Sequence, residues 1–217
     1  MKKRLGIVFA GGEGPPPGDV ARICATRPEA LRVAADSGLL LARAAGIEPG
    51  WIVGDMDSLA ESELAREGGA ERALRHPADK DLSDTELALA LLVEKGCEDA
   101  WIIGGGGGRL AHLLAIFGLF QRPGFPSRWI TAGADARRLE AGEETRESVA
   151  PGSLVSVFPL ASGPWRAESQ GLKWPLRDAR WEGGPSVGLS NVALDGGIAL
   201  RSVEGRFIVI LEGTCQR

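Results

Sequence analysis

The chain is poor in the residues that build thiolate sites. Its 217 residues include three cysteines, Cys24, Cys97 and Cys215, far apart and none in a CxxC pair. That spacing offers neither a disulfide framework nor a zinc site, and reduced thiols in a cytoplasmic protein are the simplest reading. Histidine is scarcer still, with His76 and His112 alone, and no Ser-His-Asp arrangement can be picked out. Positive charge is also short. With 25 Lys plus Arg against 29 Asp plus Glu, the net charge is −4, whereas a general nucleic-acid binder carries a basic excess. A small anionic ligand remains possible, because a few local cations suffice for it. No apolar run is long enough to span a membrane. Leu5–Ala10 behind Met1-Lys2-Lys3-Arg4 looks briefly like a leader, but it is too short and runs into Gly11-Gly12 rather than a cleavage site. It reads as a buried first strand.

What is present suits a globular chain of one or two domains. Short apolar runs at 5–10, 31–35, 51–53, 72–75, 100–103 and 128–132 alternate with helical patterns. The clearest helix covers Asp84–Lys95, where apolar residues recur at helical spacing and Gly96 supplies a stop. This alternation predicts an α/β domain with a mainly parallel sheet and helices on both faces. After about residue 133 helical periodicity ends. Short runs at Leu154–Phe158, Gly188–Ser190, Ile198–Leu200 and Phe207–Leu211, separated by Gly and Pro, predict an all-β, sandwich-like domain.

Two acidic clusters carry most of the chemistry. Gly54-Asp55-Met56-Asp57-Ser58 follows one apolar run, and Asp79-Lys80-Asp81-Leu82-Ser83-Asp84 follows another. Carboxylates this dense repel one another unless cations neutralise them, and hard oxygen ligands suit Mg²⁺. A Mg²⁺ held by carboxylates usually also holds a phosphate, so the expected chemistry is phosphoryl-type transfer on a nucleotide. Asp55 and Asp57, two apart in an extended turn, would point to opposite sides, one binding metal directly and the other through water. Asp81 and Asp84 stand three apart at a helix start, where Asp84 fits equally as an N-cap or first-turn acid. Lys80 fits a phosphate contact or a plain salt bridge.

Gly104–Gly108 and Arg109 lie between a strand and a helix starting at Leu110. Glycines let backbone N–H groups converge on an anion, and Arg109 can fork onto phosphate oxygens. No GK[ST] follows, so this is not a Walker A loop. His112 sits on the first turn of that helix, and either the same pocket or the helix surface suits it. Asp36 ends the second strand before Ser37-Gly38, with an N-cap role competing with ligand contact. Gly11-Gly12, Asp36, Asp55 with Asp57, Asp79 to Asp84 and Gly104 to Arg109 all follow strands, on the edge where open parallel sheets bind ligands. In the β-rich part, Trp174 offers a flat face, and Ser190 and Asn191 offer donors and acceptors. A core tryptophan and ordinary turn residues fit equally well there.

Taken in order, these pieces resemble the thiamine pyrophosphokinase (thiamine diphosphokinase) family. The matching stretches are Ala35–Gly38, Gly46–Pro49 leading into Gly54–Ser58, Lys80–Glu86, Gly107–His112, Gly171–Leu176 and Gly188–Asn191. The resemblance implies an ATP- and Mg²⁺-binding α/β domain over 1–133 and a thiamine-binding β-sandwich over 134–217. It also implies a homodimer with active sites at the subunit interface. The reaction it implies joins the thiamine hydroxyl to the β-phosphorus of ATP and releases AMP. Asp55, Asp57 and Asp81 would hold Mg²⁺, with Asp84 and Arg109 also catalytic. Asp36, Lys80, Ser83, Gly107, Gly108 and His112 would serve the nucleotide and metal side, and Trp174, Ser190 and Asn191 the thiamine side.

The chain departs from the family pattern at Ala111, where an acid is usual, at Ser37 for Gly, Gly50 for Asp and Ser83 for Thr. Ala111 leaves two rivals open. One is a related diphosphotransferase or phosphohydrolase acting on another small molecule. The other is a non-catalytic nucleotide- or thiamine-binding module, which has little need for so many acids.

Overall fold

The six residues of β1 (Leu5–Ala10) are all buried, because they run through the middle of a parallel sheet. In the computed structural model, which describes residues 3–65, 71–77, 79, 81–183 and 185–213, the chain divides into two compact units. One comprises Met1–Leu119 with Gly124–Ala132, the other Phe120–Pro123 with Gly133–Arg217.

In the first unit β1 is followed by α1 (Pro17–Ala25), β2 (Leu31–Ala35), α2 (Gly38–Ala44), β3 (Trp51–Gly54), α3 (Glu61–Ala65) and β4 (Ala73–Arg75). Then come α4 (Asp84–Glu94), β5 (Asp99–Gly104), α5 (Leu110–Phe120) and β6 (Arg128–Ile130). The strand order is β6-β5-β1-β2-β3-β4, and every neighbouring pair is parallel. The chain steps one way from β1 to β4 and then returns past β1 to β5. Right-handed crossovers put helices on both faces of such a sheet, and the order reverses between β1 and β5. The sheet and its helices match the expectation. The last expected strand, 128–132, is shorter and ends at Ile130.

The second unit has two antiparallel sheets. β7 (Ala134–Leu139), β9 (Leu154–Leu160), β11 (Asn191–Val192) and β13 (Arg206–Glu212) are ordered β11-β9-β13-β7. β8 (Glu144–Ser148), β10 (Arg166–Gln170) and β12 (Gly197–Glu204) are ordered β10-β12-β8. Val155, Val157, Phe207 and Val209 from one sheet share a core with Ala167, Ile198 and Leu200 from the other, which makes the unit a sandwich. Trp181 meets Phe207 edge-on at 5.0 Å between ring centroids.

Two departures from the sequence reading stand out here. Gly188–Ser190 is not a strand: a one-turn 3-10 helix, Pro185–Gly188, ends there, and strand pairing begins at Asn191. A Cβ on Gly188 would lie 1.9 Å from the Val157 carbonyl oxygen, so this backbone is pressed against β9. Strands β7, β8 and β10 were not anticipated, because charge interrupts their apolar alternation. In β7 that charge is internal. Asp135, 4% exposed, accepts from Arg137 Nη2 at 2.7 Å, and Arg137 Nη1 also donates to Glu147 of β8.

Among the described residues, no helix is long and apolar enough to cross a membrane. Cys24 and Cys97 are buried free thiols, and burial pushes both thiols up from their ordinary range. Cys215 lies outside the described residues.

Candidate active site

The acidic site starts from the ends of β2 and β3. Asp36 follows β2 directly, in a left-handed conformation with φ of 45°, and its N–H donates to the Val53 carbonyl of β3 at 2.9 Å. Asp55 follows β3. Its Oδ1 accepts the Asp57 N–H at 3.2 Å, closing a tight turn. Met56, with φ of 66°, is buried in the turn among Ala34, Leu39, Ile52 and Leu64. Ser58 Oγ donates to Asp36 Oδ2 at 2.5 Å and lies 3.1 Å from Asp57 Oδ1.

The third acid comes from α4. Ser83, not Asp84, is the N-cap: its hydroxyl accepts the Glu86 N–H at 3.2 Å. That leaves Asp84 as the first-turn acid, with its carboxylate turned to the strand ends. Carboxylate oxygens of Asp36, Asp55 and Asp84 lie within 4.8 Å of one another. Gly54 makes this approach possible. A Cβ there would sit 3.2 Å from both Asp36 Cβ and Asp84 Cγ, on a backbone with φ of 151°.

The trio that the fold gathers therefore differs from the expected trio of Asp55, Asp57 and Asp81. Asp55 is common to both. Asp57 and Asp81 are exposed and outside the cluster, and Lys80 lies outside the described residues.

The glycine loop forms at the other side of the sheet's midline. Gly106 and Glu13, which follows β1, exchange backbone hydrogen bonds of 2.7 and 2.9 Å, so the loops after β1 and β5 are bound together at the switch point of the strand order. Gly107 and Gly108 are both left-handed, with φ of 63° and 65°. The Glu13 side chain lies against Gly107, where a Cβ would come within 2.4 Å of its Cδ. Arg109 and His112 are exposed at the start of α5. Neither Glu13 nor Ser58 was singled out from sequence. Ser58 stood inside a recognised motif, while nothing in the sequence links Glu13 to the glycine loop.

In the second unit the two stretches expected on the thiamine side pair with each other. Lys173 N–H donates to the Val192 carbonyl at 2.9 Å, and Leu194 N–H to the Gly171 carbonyl at 2.8 Å. Asn191 is buried, and its amide takes both backbone groups of Trp174: Trp174 N–H donates to Oδ1 at 3.1 Å and Nδ2 donates to the Trp174 carbonyl at 2.7 Å. Its Oδ1 also accepts the Val192 N–H at 2.9 Å. Trp174 is 54% exposed, with the Lys173 ammonium 4.6 Å from its ring centroid. Ser190 is exposed, left-handed at φ 55°, and its N–H donates to Ser156 Oγ at 3.0 Å.

A three-carboxylate cluster and a glycine loop on the carboxyl edge of a doubly wound sheet, in a chain with an antiparallel sandwich as its second unit, define an α/β class with its polar groups gathered where such sheets bind ligands. Comparison with known proteins narrows it. Residues 25–128 match the model of the thiamin pyrophosphokinase catalytic domain, and residues 144–205 match that of its vitamin B1 binding domain. The two matches together take in more than three-quarters of the chain. The thiamine pyrophosphokinase of Bacillus subtilis (strain 168) is 29% identical over 170 residues, which are 76% of this chain and 79% of that protein. A crystal structure of the Bacillus subtilis thiamine pyrophosphokinase superposes with a TM-score of 0.76 at 24% identity, covering 97% of this chain and 99% of that one. A thiamin pyrophosphokinase family protein from Enterococcus faecalis gives a TM-score of 0.70 at 26% identity, over 96% and 98%. The chain belongs to the thiamin pyrophosphokinase family and is an enzyme of that family.

Proposed function

We propose that the chain transfers the diphosphate of ATP to the hydroxyl of thiamine, giving thiamine diphosphate and AMP, with Mg²⁺ as the metal. The observation that carries this is the meeting of Asp36, Asp55 and Asp84 within 4.8 Å, in a chain matched by the family's catalytic and vitamin-binding models. Mg²⁺ fits this donor set. The three donors are hard carboxylate oxygens, and Asp36 Oδ1 is enclosed with no hydrogen-bond partner, a state that a bound cation relieves. Bound there, Mg²⁺ would offset charge on phosphate oxygens. Asp36, Asp55 and Asp84 would hold it, and exposed Asp57 and Asp81 would complete the acidic set around the nucleotide.

The chain's own groups do the rest by positioning. Arg109 and the left-handed pair Gly107 and Gly108 would receive phosphate oxygens, with His112 and Lys80 on the same nucleotide side. Ser83 would act through α4, since its cap fixes the helix start that presents Asp84. Trp174 would lie against the thiamine ring. Its face already receives a cation, Lys173, and a thiazolium would take the same kind of contact. Asn191 holds Trp174 by its backbone, and Ser190 offers a hydroxyl nearby in sequence. As the thiamine oxygen bonds to the β-phosphorus and gives up its hydroxyl proton to solvent, the bond from that phosphorus to the oxygen bridging the α-phosphate breaks. AMP leaves with that oxygen.

On this reading residues 1–133 serve ATP and Mg²⁺ and residues 134–217 serve thiamine, in a cytoplasmic homodimer with active sites at the subunit interface. Leu110 and Leu114, 67% and 59% exposed on α5, support an apolar contact with a second copy. A chromatographic assay of the purified chain with ATP, Mg²⁺ and thiamine tests the function. AMP and thiamine diphosphate in equal amounts support it. AMP formed only with a different alcohol would overturn the choice of thiamine.

A further inference from the structure

We infer that Ser58 is a positioning residue for the metal centre, setting Asp36 and Asp57 into different roles through one hydroxyl; this rests on the metal reading above. A serine hydroxyl carries a single hydrogen. Here two carboxylates compete for it. Asp36 Oδ2 lies at 2.5 Å, the length of a strong charge-assisted bond, and Asp57 Oδ1 lies at 3.1 Å. The short bond occupies Asp36 Oδ2 and fixes the carboxylate plane. Its partner oxygen, Oδ1, is left enclosed and without a donor. Ser58 thus turns Asp36 into a one-oxygen ligand and keeps Asp57, through the longer contact, on the exposed side of the turn.

The hydroxyl is not needed to hold the turn itself. Met56 is buried at 4% exposure and packs into the core beneath. Asp55 Oδ1 closes the turn on the Asp57 N–H. Asp36 is anchored separately, by its N–H on Val53. Ser58 is itself exposed, so removing its oxygen leaves no cavity. Among the described residues its hydroxyl hydrogen-bonds to carboxylates alone, which is the pattern of a group that orients metal ligands.

Mn²⁺ titrated into the nucleotide-free full-length chain and read by electron paramagnetic resonance tests this directly, beside metal-free melting temperatures. Ser58→Ala should weaken Mn²⁺ binding by about ten- to a hundredfold, with the metal-free melting temperature held. Ser58→Thr, which keeps the hydroxyl, should restore binding. Wild-type affinity in Ser58→Ala would overturn the proposal, as would equal losses in both variants with a lowered metal-free melting temperature. Asp36→Asn separates the two layers: if it binds Mn²⁺ as wild type does, or if wild type binds none, the metal reading fails and this inference with it.

Discussion

Asn191 holds Trp174 by the backbone on both sides, accepting from its N–H and donating to its carbonyl. Trp174 itself is left 54% exposed. Asn191 is therefore a buried clamp, and on the proposed function Trp174 is the surface that it presents to thiamine. Trp174→Ala should leave the fold intact and raise the KM for thiamine by roughly tenfold or more, the scale of a lost stacking or cation contact. Asn191→Ala should lower stability as well, by about 1–3 kcal/mol, because it strips partners from backbone groups at a buried position. Thermal melts run beside thiamine saturation curves separate the two. Equal destabilisation by both variants would contradict the division.

Replacing any one of Asp36, Asp55 and Asp84 with asparagine should cut turnover by more than about a hundredfold, or nearly 3 kcal/mol of transition-state stabilisation. The metal-free protein should respond in the opposite sense. Three carboxylates within 4.8 Å repel one another, so each substitution should hold or raise the melting temperature in EDTA. A variant that melts lower in EDTA would show that the acid supports the fold.

Gly54→Ala tests the same cluster from the backbone. Its Cβ would come within 3.2 Å of Asp36 and Asp84, on a backbone that side chains rarely adopt. Activity and stability should fall together, and Mg²⁺ should fail to restore either. Full activity in this variant would mean that the carboxylates do not need their close approach.

Acid sensitivity should come in part from Glu48. Hydrogen bonds from Arg43 outweigh the opposing effect of burial and, with those from Arg72, hold its carboxyl below the usual carboxylate range. Arg43 reaches it at 2.8 and 2.9 Å and Arg72 at 2.6 Å. A carboxyl lowered by folding binds fewer protons in the folded state. Its contribution is complete above the unfolded value and is lost as pH falls through the folded one. Glu48→Gln should therefore reduce stability near neutral pH by about 1–3 kcal/mol and flatten the decline in melting temperature below the ordinary glutamate range. An unchanged acid limb would assign that decline elsewhere.

Much of this was legible in the sequence, and the reasons differ by element. β1 was readable because a strand covered on both sides is a continuous apolar run. α4 was readable because its apolar residues recur at helical spacing and Gly96 supplies a stop, although the cap is Ser83 and not Asp84. The acids were readable as a set, but the members that meet were not. The family resemblance named Asp55, Asp57 and Asp81 as the metal ligands, whereas parallel pairing of β2 with β3 brings Asp36 beside Asp55, and the Ser83 cap turns Asp84 toward both. Glu13 reaches the glycine loop only because β1 and β5 are neighbours in the sheet. β7 stayed hidden because its charges pair internally with β8. Ala111, exposed on α5, leaves the three-acid cluster complete without it.

The most direct test of the account is a ³¹P NMR time course of ATP, Mg²⁺ and thiamine with the purified chain. The account predicts AMP and thiamine diphosphate rising together, with neither ADP nor free phosphate formed, because the diphosphate moves as one unit. ADP with thiamine monophosphate, or phosphate release independent of thiamine, would contradict it.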